Sequence, residues 1–203
     1  MSIFENIIKH FNHQIDAISN QTEALTPHLA EAAHLLSQTL IEDGKILCCS
    51  AGHNRAIAEH FCRSLDSFNT LRPAFPCLLL GNAQQMAIAM DNHEGDEVYP
   101  KAIHTLAKEQ DTLVIFSLTG QEKSLQQAIE AANAKALNCI IIYSGSAQLS
   151  QAIASNKVDI ALSGLDTQQS LNMQFMLSQL LVVLTEQLLF GEIEWAVFSL
   201  AWS

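Results

Sequence analysis

Five short apolar runs alternate with helical segments along the middle of this chain, and this alternation constrains the fold more than any other feature. The runs lack the polar residue at every second position that marks a half-exposed strand, so each is predicted to be a strand buried on both faces. They span residues 46–49, 77–80, 112–116, 139–143 and 160–162. Strands that alternate with helices pair in parallel through right-handed crossovers. The sequence therefore predicts an α/β fold with an open, doubly wound sheet of five parallel strands.

Apolar residues at helical spacing place the helices. Two helices are predicted before the first strand, because Thr26 before Pro27 has the form of an N-cap with proline at the first helical position. Asp43 and Gly44 then end the second helix. Further helices are predicted over residues 54–65, 98–106, 122–132, 149–154 and 168–190.

The chain of 203 residues is expected to form one domain, since no break in composition divides it. Residues 1–42 are assigned to the N-terminal helices, 43–167 to the parallel α/β core, and 168–203 to a long helix and an apolar tail. The long helix is apolar on several sides, which suits burial between the sheet and another subunit. The tail, residues 193–203, is expected to dock on its own domain or on a partner.

Composition limits the classes of partner and compartment. A net charge of −11 with ten Lys and Arg argues against direct nucleic-acid binding, which needs clustered cations. No uninterrupted membrane span of 18 residues and no signal peptide are expected, so the predicted location is cytoplasmic, without a membrane. The cysteines form no CxxC pair and are predicted to be small core residues in a reducing compartment. They are Cys48, Cys49, Cys62, Cys77 and Cys139.

The loops that follow the first and third strands are the candidate ligand site, because ligands bind beyond the carboxyl ends of parallel strands. Residues 50–54 form a small-residue turn into a helix, where free backbone N–H groups can hold an anion such as phosphate. The alternative is a plain turn with Asn54 as N-cap. Residues 117–121 offer two hydroxyls and a glycine, and their alternative is likewise ordinary turn and cap chemistry.

The order of elements and loops resembles the sugar isomerase (SIS) domain family, in the branch that contains phosphoheptose isomerases and the DnaA initiator-associating proteins (DiaA). The resemblance covers essentially the whole chain and is closer to the initiator-associating members. It rests, in order, on residues 44–49, His60-Phe61, residues 72–76, 96–99, 117–121, 127–132 and Leu189-Phe190. It implies a three-layer αβα fold with a flavodoxin-like sheet, assembled as a tetramer.

Carried over residue by residue, the resemblance implies a degenerate phosphosugar cleft. Asn54 stands where the isomerases carry a phosphate-binding serine, and Leu118 and Glu122 replace hydroxyl residues of the second loop. A carboxylate beside a phosphate dianion costs electrostatic energy unless it is protonated or turned away. The implied ligand-binding residues are Ser50, Asn54, His60, Asp91, Ser117, Thr119 and Gly120.

The isomerase chemistry is not carried over. Of the enzyme's His and Glu four residues apart, His60 remains but Ser64 replaces the glutamate, and the positions on the last helix are Leu171 and Gln179. One imidazole cannot form a zinc site or supply both the acid and the base of an aldose–ketose isomerisation. We therefore predict no catalytic residue, no metal and no cofactor.

The resemblance instead implies a protein partner. Leu189 and Phe190, at the end of the last helix, correspond to the partner-binding pair of the initiator-associating branch, although they can equally be core or subunit packing. The leading hypothesis is a non-catalytic homo-oligomer, expected to be a tetramer, that binds DnaA and promotes its assembly at the origin. The alternatives are a phosphosugar isomerase or sugar-phosphate sensor, and a scaffold that has neither activity.

Overall fold

A computed structural model describes residues 2–67, 72–92, 95–153 and 157–191 and places a parallel sheet between layers of helices. The strands are β1 (Ile46–Ser50), β2 (Cys77–Leu79), β3 (Thr112–Ser117), β4 (Asn138–Ser144) and β5 (Lys157–Leu162). The helices are α1 (Ile3–Ile41), α2 (Arg55–Ser67), α3 (Ala83–Asp91), α4 (Val98–Leu106), α5 (Lys123–Ala134), α6 (Gln148–Gln151) and α7 (Thr167–Phe190). Short 3-10 turns precede α2 and α4, at Gly52–Asn54 and Gly95–Glu97.

The strand order β2-β1-β3-β4-β5, parallel throughout, is the flavodoxin-like order that the family resemblance implies, and it agrees with the open parallel sheet predicted from the sequence pattern. Side chains alternate between the two faces, so that Cys48 lies in one core and Cys49 in the other. The first core joins the sheet to α1, α2 and α7, and the second joins it to α4 and α5. The predicted three-layer arrangement is confirmed.

The prediction of two N-terminal helices is wrong, because α1 is one helix of 39 residues with Pro27 inside it. Thr26 does not cap a helix there; its hydroxyl donates to the carbonyl of Thr22, 2.7 Å away within the same helix. Apolar residues continue across the proline at the same spacing, and Leu25 and Leu29 on either side are both buried. Burial of this continuous face offsets the cost of an interior proline, which is about 3 kcal/mol.

Helix α3 is absent from the sequence-based prediction, although its N-terminus carries a recognisable signal. Asn82 and Gln85 form a reciprocal capping box, in which each side chain accepts from the other residue's backbone N–H. The helix buries only Ala89, so its sequence lacks the apolar periodicity on which the prediction relied.

Helix α7 corrects the expectation about membrane spans. It contains a window of 18 residues with mean hydropathy 1.4, which is long and apolar enough to cross a membrane by length and composition alone. In this fold α7 packs along α1 and α2, and its buried face includes Gln174 and Glu186. Glu186 pairs with Arg72 at 2.6 Å, and both side chains are almost fully buried. The predicted docking of the apolar tail, with Trp195, Phe198 and Trp202, lies outside the described residues.

Candidate functional site

The two loops singled out in the sequence lie side by side where the strand order reverses. β1 and β3 are adjacent, with Ser50 paired to Phe116, and β2 lies on one side of them while β4 lies on the other. Parallel α/β proteins bind ligands at such a switch point. The predicted meeting of the loops after β1 and β3 is therefore confirmed.

The loop after β3 is closed around the carboxylate of Glu122. One carboxylate oxygen accepts hydrogen bonds from the Ser117 hydroxyl at 2.5 Å and the Gln121 N–H at 3.1 Å. The other oxygen accepts from the Thr119 N–H at 3.2 Å. A hydroxyl and two backbone N–H groups form the kind of donor set that holds a bound anion at a helix start. Here the chain's own side chain occupies it.

The charge of Glu122 is stabilised by this arrangement. Partial burial raises the pKa of its carboxyl, but hydrogen bonds from Ser117 and from the backbone of the loop outweigh burial, and the net pKa is lowered. The group is thus an anion at neutral pH. A phosphate entering this loop would have to displace a bound carboxylate or lie against it.

Gly120 is required by the packing of this loop. Its backbone φ is +70°, and a Cβ atom placed there would lie 1.7 Å from the carbonyl oxygen of Ser146. The Ser146 N–H donates to the Thr119 carbonyl at 2.8 Å, and the Gly120 N–H donates to the Ser117 hydroxyl at 2.7 Å. The absence of a Cβ atom at Gly120 therefore allows the two neighbouring loops to approach and form a hydrogen bond, whatever the loop binds.

The loop after β1 is closed by amide groups. The side-chain NH₂ of Asn54 donates to the side-chain oxygen of Gln174 on α7, and the Gln174 NH₂ donates to the backbone carbonyl of Ser117 at 2.8 Å. Asn54, Gln174 and Ser117 are fully buried. The predicted ligand contact Asn54 therefore lies in an internal bridge between the β1 loop, the β3 loop and α7.

Sequence reasoning missed Gln174. Its signal was a polar residue on the buried face of an otherwise apolar helix, where an unpaired amide would cost free energy.

Ser50 is also turned inward. Its carbonyl accepts a hydrogen bond from the Tyr99 hydroxyl, whose pKa burial raises to about 12. Its own hydroxyl is buried without a partner among the described residues. Of the predicted ligand set, Ser50, Asn54, Ser117 and Gly120 are buried, Thr119 is exposed, and Asp91 is the exposed last residue of α3.

His60 lies among neutral groups. Its Nε2 atom is 3.4 Å from the Ser64 hydroxyl and 3.4 Å from the Gln179 amide nitrogen, and its ring packs on Phe175 with centroids 4.6 Å apart. Burial lowers its pKa, which favours the neutral imidazole. Three of the positions that carry the isomerase chemistry therefore converge, but neither a hydroxyl nor an amide supplies the missing acid or base. Within the described ranges, no group of three His, Cys, Asp or Glu is placed to hold a metal.

The proposed partner-binding pair lies at the end of α7, beside Phe75 and Arg72. Leu189 is partly buried against the core, while Phe190 is 53% exposed and stacks on Phe75, with ring centroids 6.0 Å apart. The guanidinium of Arg72 lies 3.9 Å from the centre of the Phe75 ring and is fixed by its ion pair with Glu186.

Comparison with known proteins agrees with this architecture. The SIS domain model matches residues 10–144. A phosphoheptose isomerase of Alkalilimnicola ehrlichii is 28% identical over 195 residues, which cover 94% of this chain and 99% of that protein. The DnaA initiator-associating protein DiaA of Escherichia coli is 37% identical over 131 residues, 63% of this chain and 66% of that protein.

Among solved structures, a phosphoheptose isomerase from Francisella tularensis superposes with a TM-score of 0.85 over 92% of this chain and all of that one. At 23% identity this likeness speaks for the fold alone. The family model covers well over half of the sequence, and the sheet order and switch-point loops agree with it. The chain belongs to the SIS domain family.

Proposed function

We propose that this protein is a non-catalytic, cytoplasmic SIS-domain protein that binds the replication initiator DnaA as a homo-oligomer and promotes its assembly at the origin. The observation that carries the proposal is the carboxylate of Glu122, held by the Ser117 hydroxyl and the N–H groups of Thr119 and Gln121. The donors that would hold a phosphate are already engaged by an internal anion. The function is then better sought on the surface than in the cleft.

The environment of His60 supports the absence of isomerase activity. Proton transfer between two carbons of a sugar needs a base and an acid with pKa values near neutrality. His60 faces a serine hydroxyl and a glutamine amide, and neither group exchanges protons in that range. A single imidazole is left without the partner that the reaction requires.

The likeness to DiaA supports the choice of partner, and Phe190 supports the place of contact. The E. coli protein is named for its association with DnaA and shares 37% identity with this chain. Phe190 is an exposed aromatic ring backed by Phe75, so it can bury a large apolar area while losing little side-chain entropy. Aromatic anchors of this kind dominate the free energy of protein interfaces.

The N-terminal half of α1 supports self-association. Every third or fourth residue from Phe4 to Leu36 lies on one seam with the spacing of a coiled coil, and this seam is apolar except at Thr22. Its C-terminal part is buried in the domain: Leu25, Leu29, Ala32 and Leu36. Its N-terminal part is 39 to 74% exposed: Phe4, Ile8, Phe11, Ile15 and Ile18. A second copy of this chain, with the same seam, is the partner we assign to the exposed part.

Self-association supplies the mechanism of the proposed function. An oligomer presents several copies of Phe190, and each bound initiator raises the effective concentration of the next one without new contacts or chemistry. Gathering initiators in this way needs neither a cofactor nor direct contact with DNA.

The proposal is tested by binding of purified, oligomer-verified protein to its cognate DnaA. Binding at micromolar concentration is expected, and Phe190→Ala should weaken it at least about tenfold. Leu106→Ala is the matched control, since Leu106 is 43% exposed on α4 in the opposite layer. Absence of binding by the wild-type oligomer contradicts the proposed function, and equal effects of the two variants contradict the proposed place of contact.

Self-association is tested separately with Phe11→Asp, measured by light scattering after size-exclusion chromatography. The variant should become smaller while its circular dichroism stays native, because Phe11 is 67% exposed in the single chain. Asn20→Asp adds the same charge to an exposed position of α1 outside the seam and should leave the assembly unchanged. An unchanged mass for Phe11→Asp contradicts the role given to the seam.

A sugar-phosphate ligand is the second candidate, favoured by the relatives named as phosphoheptose isomerases. If Glu122 occupies the site, the wild-type protein should not turn over sedoheptulose 7-phosphate. The compound should also leave the melting temperature of the wild-type protein unchanged. Glu122→Ser frees the donors of the loop and should gain stabilisation by phosphosugars. Turnover by the wild type would establish an isomerase, and stabilisation without turnover would establish a sensor.

A further inference from the structure

Three cysteines from separate parts of the chain meet in the core between the sheet and α2. Cys62 lies on α2, Cys77 begins the edge strand β2, and Cys48 lies on the neighbouring strand β1. The sulfur atoms of Cys62 and Cys77 are 3.0 Å apart, and the Cys77 thiol donates to Cys62. All of these thiols are free.

The surroundings distinguish the three thiols. Cys48 is fully buried and Cys62 is 8% exposed, whereas Cys77 is partly exposed on the edge strand. Hydrogen bonds from the thiols of Cys48 and then Cys77 lower the pKa of Cys62, although burial opposes this effect. The pKa values of Cys48 and Cys77 are raised, chiefly by burial for Cys48 and by the hydrogen bond to Cys62 for Cys77. Of the three thiols, Cys62 is therefore the one whose deprotonation is favoured.

We propose that Cys62 and Cys77 are a reversible redox modification site, which a small oxidant such as hydrogen peroxide converts to an intramolecular disulfide. The two sulfurs need to approach by only about 1 Å to reach the bond length of about 2.05 Å. The sequence gives no sign of this contact, because Cys62 lies on a helix and Cys77 lies on an edge strand.

The chemistry balances in two steps. The Cys62 thiolate attacks hydrogen peroxide, so that the S–O bond forms and the O–O bond breaks, giving Cys62 sulfenic acid and hydroxide, and the hydroxide takes up one proton to become water. The Cys77 sulfur then attacks the Cys62 sulfur, so that the S–S bond forms, the S–O bond breaks, and the hydroxyl leaves as water with the Cys77 proton. Two thiols lose two electrons, and one peroxide is reduced to two waters. A thiol such as glutathione reverses the reaction by exchange.

The disulfide would close the segment between α2 and β2 into a covalent loop. That segment carries Arg72 and Phe75, which connect to Glu186 and Phe190 at the end of α7. Oxidation would therefore restrict the unfolded chain. It would also tether the segment that carries Phe75, the ring on which Phe190 stacks. Closure of a loop of this length should raise the melting temperature by roughly 5 to 10 °C.

The full-length protein treated with hydrogen peroxide, then alkylated and digested without reduction, provides the test. We expect loss of two free thiols, a single linked peptide pair containing Cys62 and Cys77, and recovery of both thiols with glutathione. Cys77→Ser should abolish the link, while Cys139→Ala, which removes a fully buried thiol of the other core, should leave it unchanged.

Several results would overturn the proposal. The first is retention of all thiols at peroxide concentrations that oxidise low-pKa cysteines of other proteins. The second is a disulfide between Cys62 and Cys48, and the third is a sulfinic acid as the sole product. The linked peptide is sought in the wild-type protein, so the test does not depend on the folding of a variant. The melting temperature of the oxidised protein is a second readout, and a decrease on forming the disulfide would contradict the geometry described above.

Discussion

The two loops at the switch point are closed by different chemistry. After β1, Asn54 and Gln174 join neutral amides in a fully buried bridge that ends on the Ser117 carbonyl. After β3, the half-buried carboxylate of Glu122 gathers a hydroxyl and two N–H groups. The amide bridge after β1 therefore lies in the core, whereas the Glu122 carboxylate after β3 lies near solvent.

This difference shows two ways in which a loop at a switch point can be closed by groups of the chain itself. In the buried neutral bridge the Asn54 side-chain oxygen already lacks a partner among the described residues, and loss of a further partner would add the desolvation cost of the group left unpaired. A charged closure near solvent can be titrated or displaced, because water and ions compete for its partners. The two loops should therefore respond differently to substitution and to pH.

The largest effect is expected for Gly120→Ala in the β3 loop. The new Cβ would meet the Ser146 carbonyl oxygen at 1.7 Å in a backbone with φ of +70°. We expect a loss of more than about 3 kcal/mol of unfolding free energy, measured by urea denaturation.

Gly52→Ala in the β1 loop is the matched control for Gly120→Ala. Its φ is +57°, but nothing lies within 4 Å of the added atom. It should cost only about 1 kcal/mol, since backbone strain acts there without a clash. Equal costs for the two variants would show that the contact between the β3 loop and Ser146 is dispensable.

Gln174→Ala comes next and breaks the neutral closure. It leaves the Asn54 amide and the Ser117 carbonyl buried without their partner and creates a cavity in α7. The expected loss is about 2 to 4 kcal/mol, measured by the same denaturation. Gln168→Ala, at an exposed position of the same helix, should change stability by less than about 0.5 kcal/mol. A loss below 1 kcal/mol for Gln174→Ala would mean that water replaces the bridge.

Glu122→Gln has a smaller expected effect on the charged closure. The amide keeps one acceptor oxygen but loses the charge that strengthens the three hydrogen bonds. Because the group is half-exposed, we expect a loss of about 1 kcal/mol at pH 7. Glu130→Gln, exposed on α5, is the control and should be close to neutral. No loss for Glu122→Gln would remove the support for an internal anion.

The pH dependence separates the two closures and is the smallest effect. The folded-state pKa of Glu122 lies below its ordinary value of 4.5. Its stabilisation is therefore complete above about pH 4.5 and is lost as the pH falls through the folded-state pKa. The stability difference between wild type and Glu122→Gln should vanish in that acidic window, while the cost of Gln174→Ala persists. A difference that is constant down to the acid transition would contradict a charged closure.

Much of the fold could be predicted because it depends on local patterns. The starts of four strands lie within one residue of their predicted positions, and α4 begins and ends where its spacing indicated. The exception among the strands is β5. Its polar residues Lys157 and Asp159 interrupt the apolar pattern, so the predicted strand begins only at residue 160. Helix α1 was divided in error because the local signal of Thr26 and Pro27 was outweighed by burial of one continuous apolar face.

The site was predictable in place but not in detail. The two loops were identified from their small and hydroxyl residues, yet the partners that close the first loop lie 120 and 57 positions apart in the chain. Cys62 and Cys77 were identified only as core residues, because their contact depends on how α2 packs on the edge strand.

The sequence by itself determined the layers, the parallel sheet and the loops at its switch point. Apolar periodicity and the alternation of strands with helices are local and admit few topologies. Only the tertiary structure decided that Asn54 binds Gln174, that Glu122 fills the donor set of its own loop, and that two thiols face each other. The reason is physical: side chains in a close-packed interior are paired by three-dimensional proximity, and composition does not encode which donor reaches which acceptor.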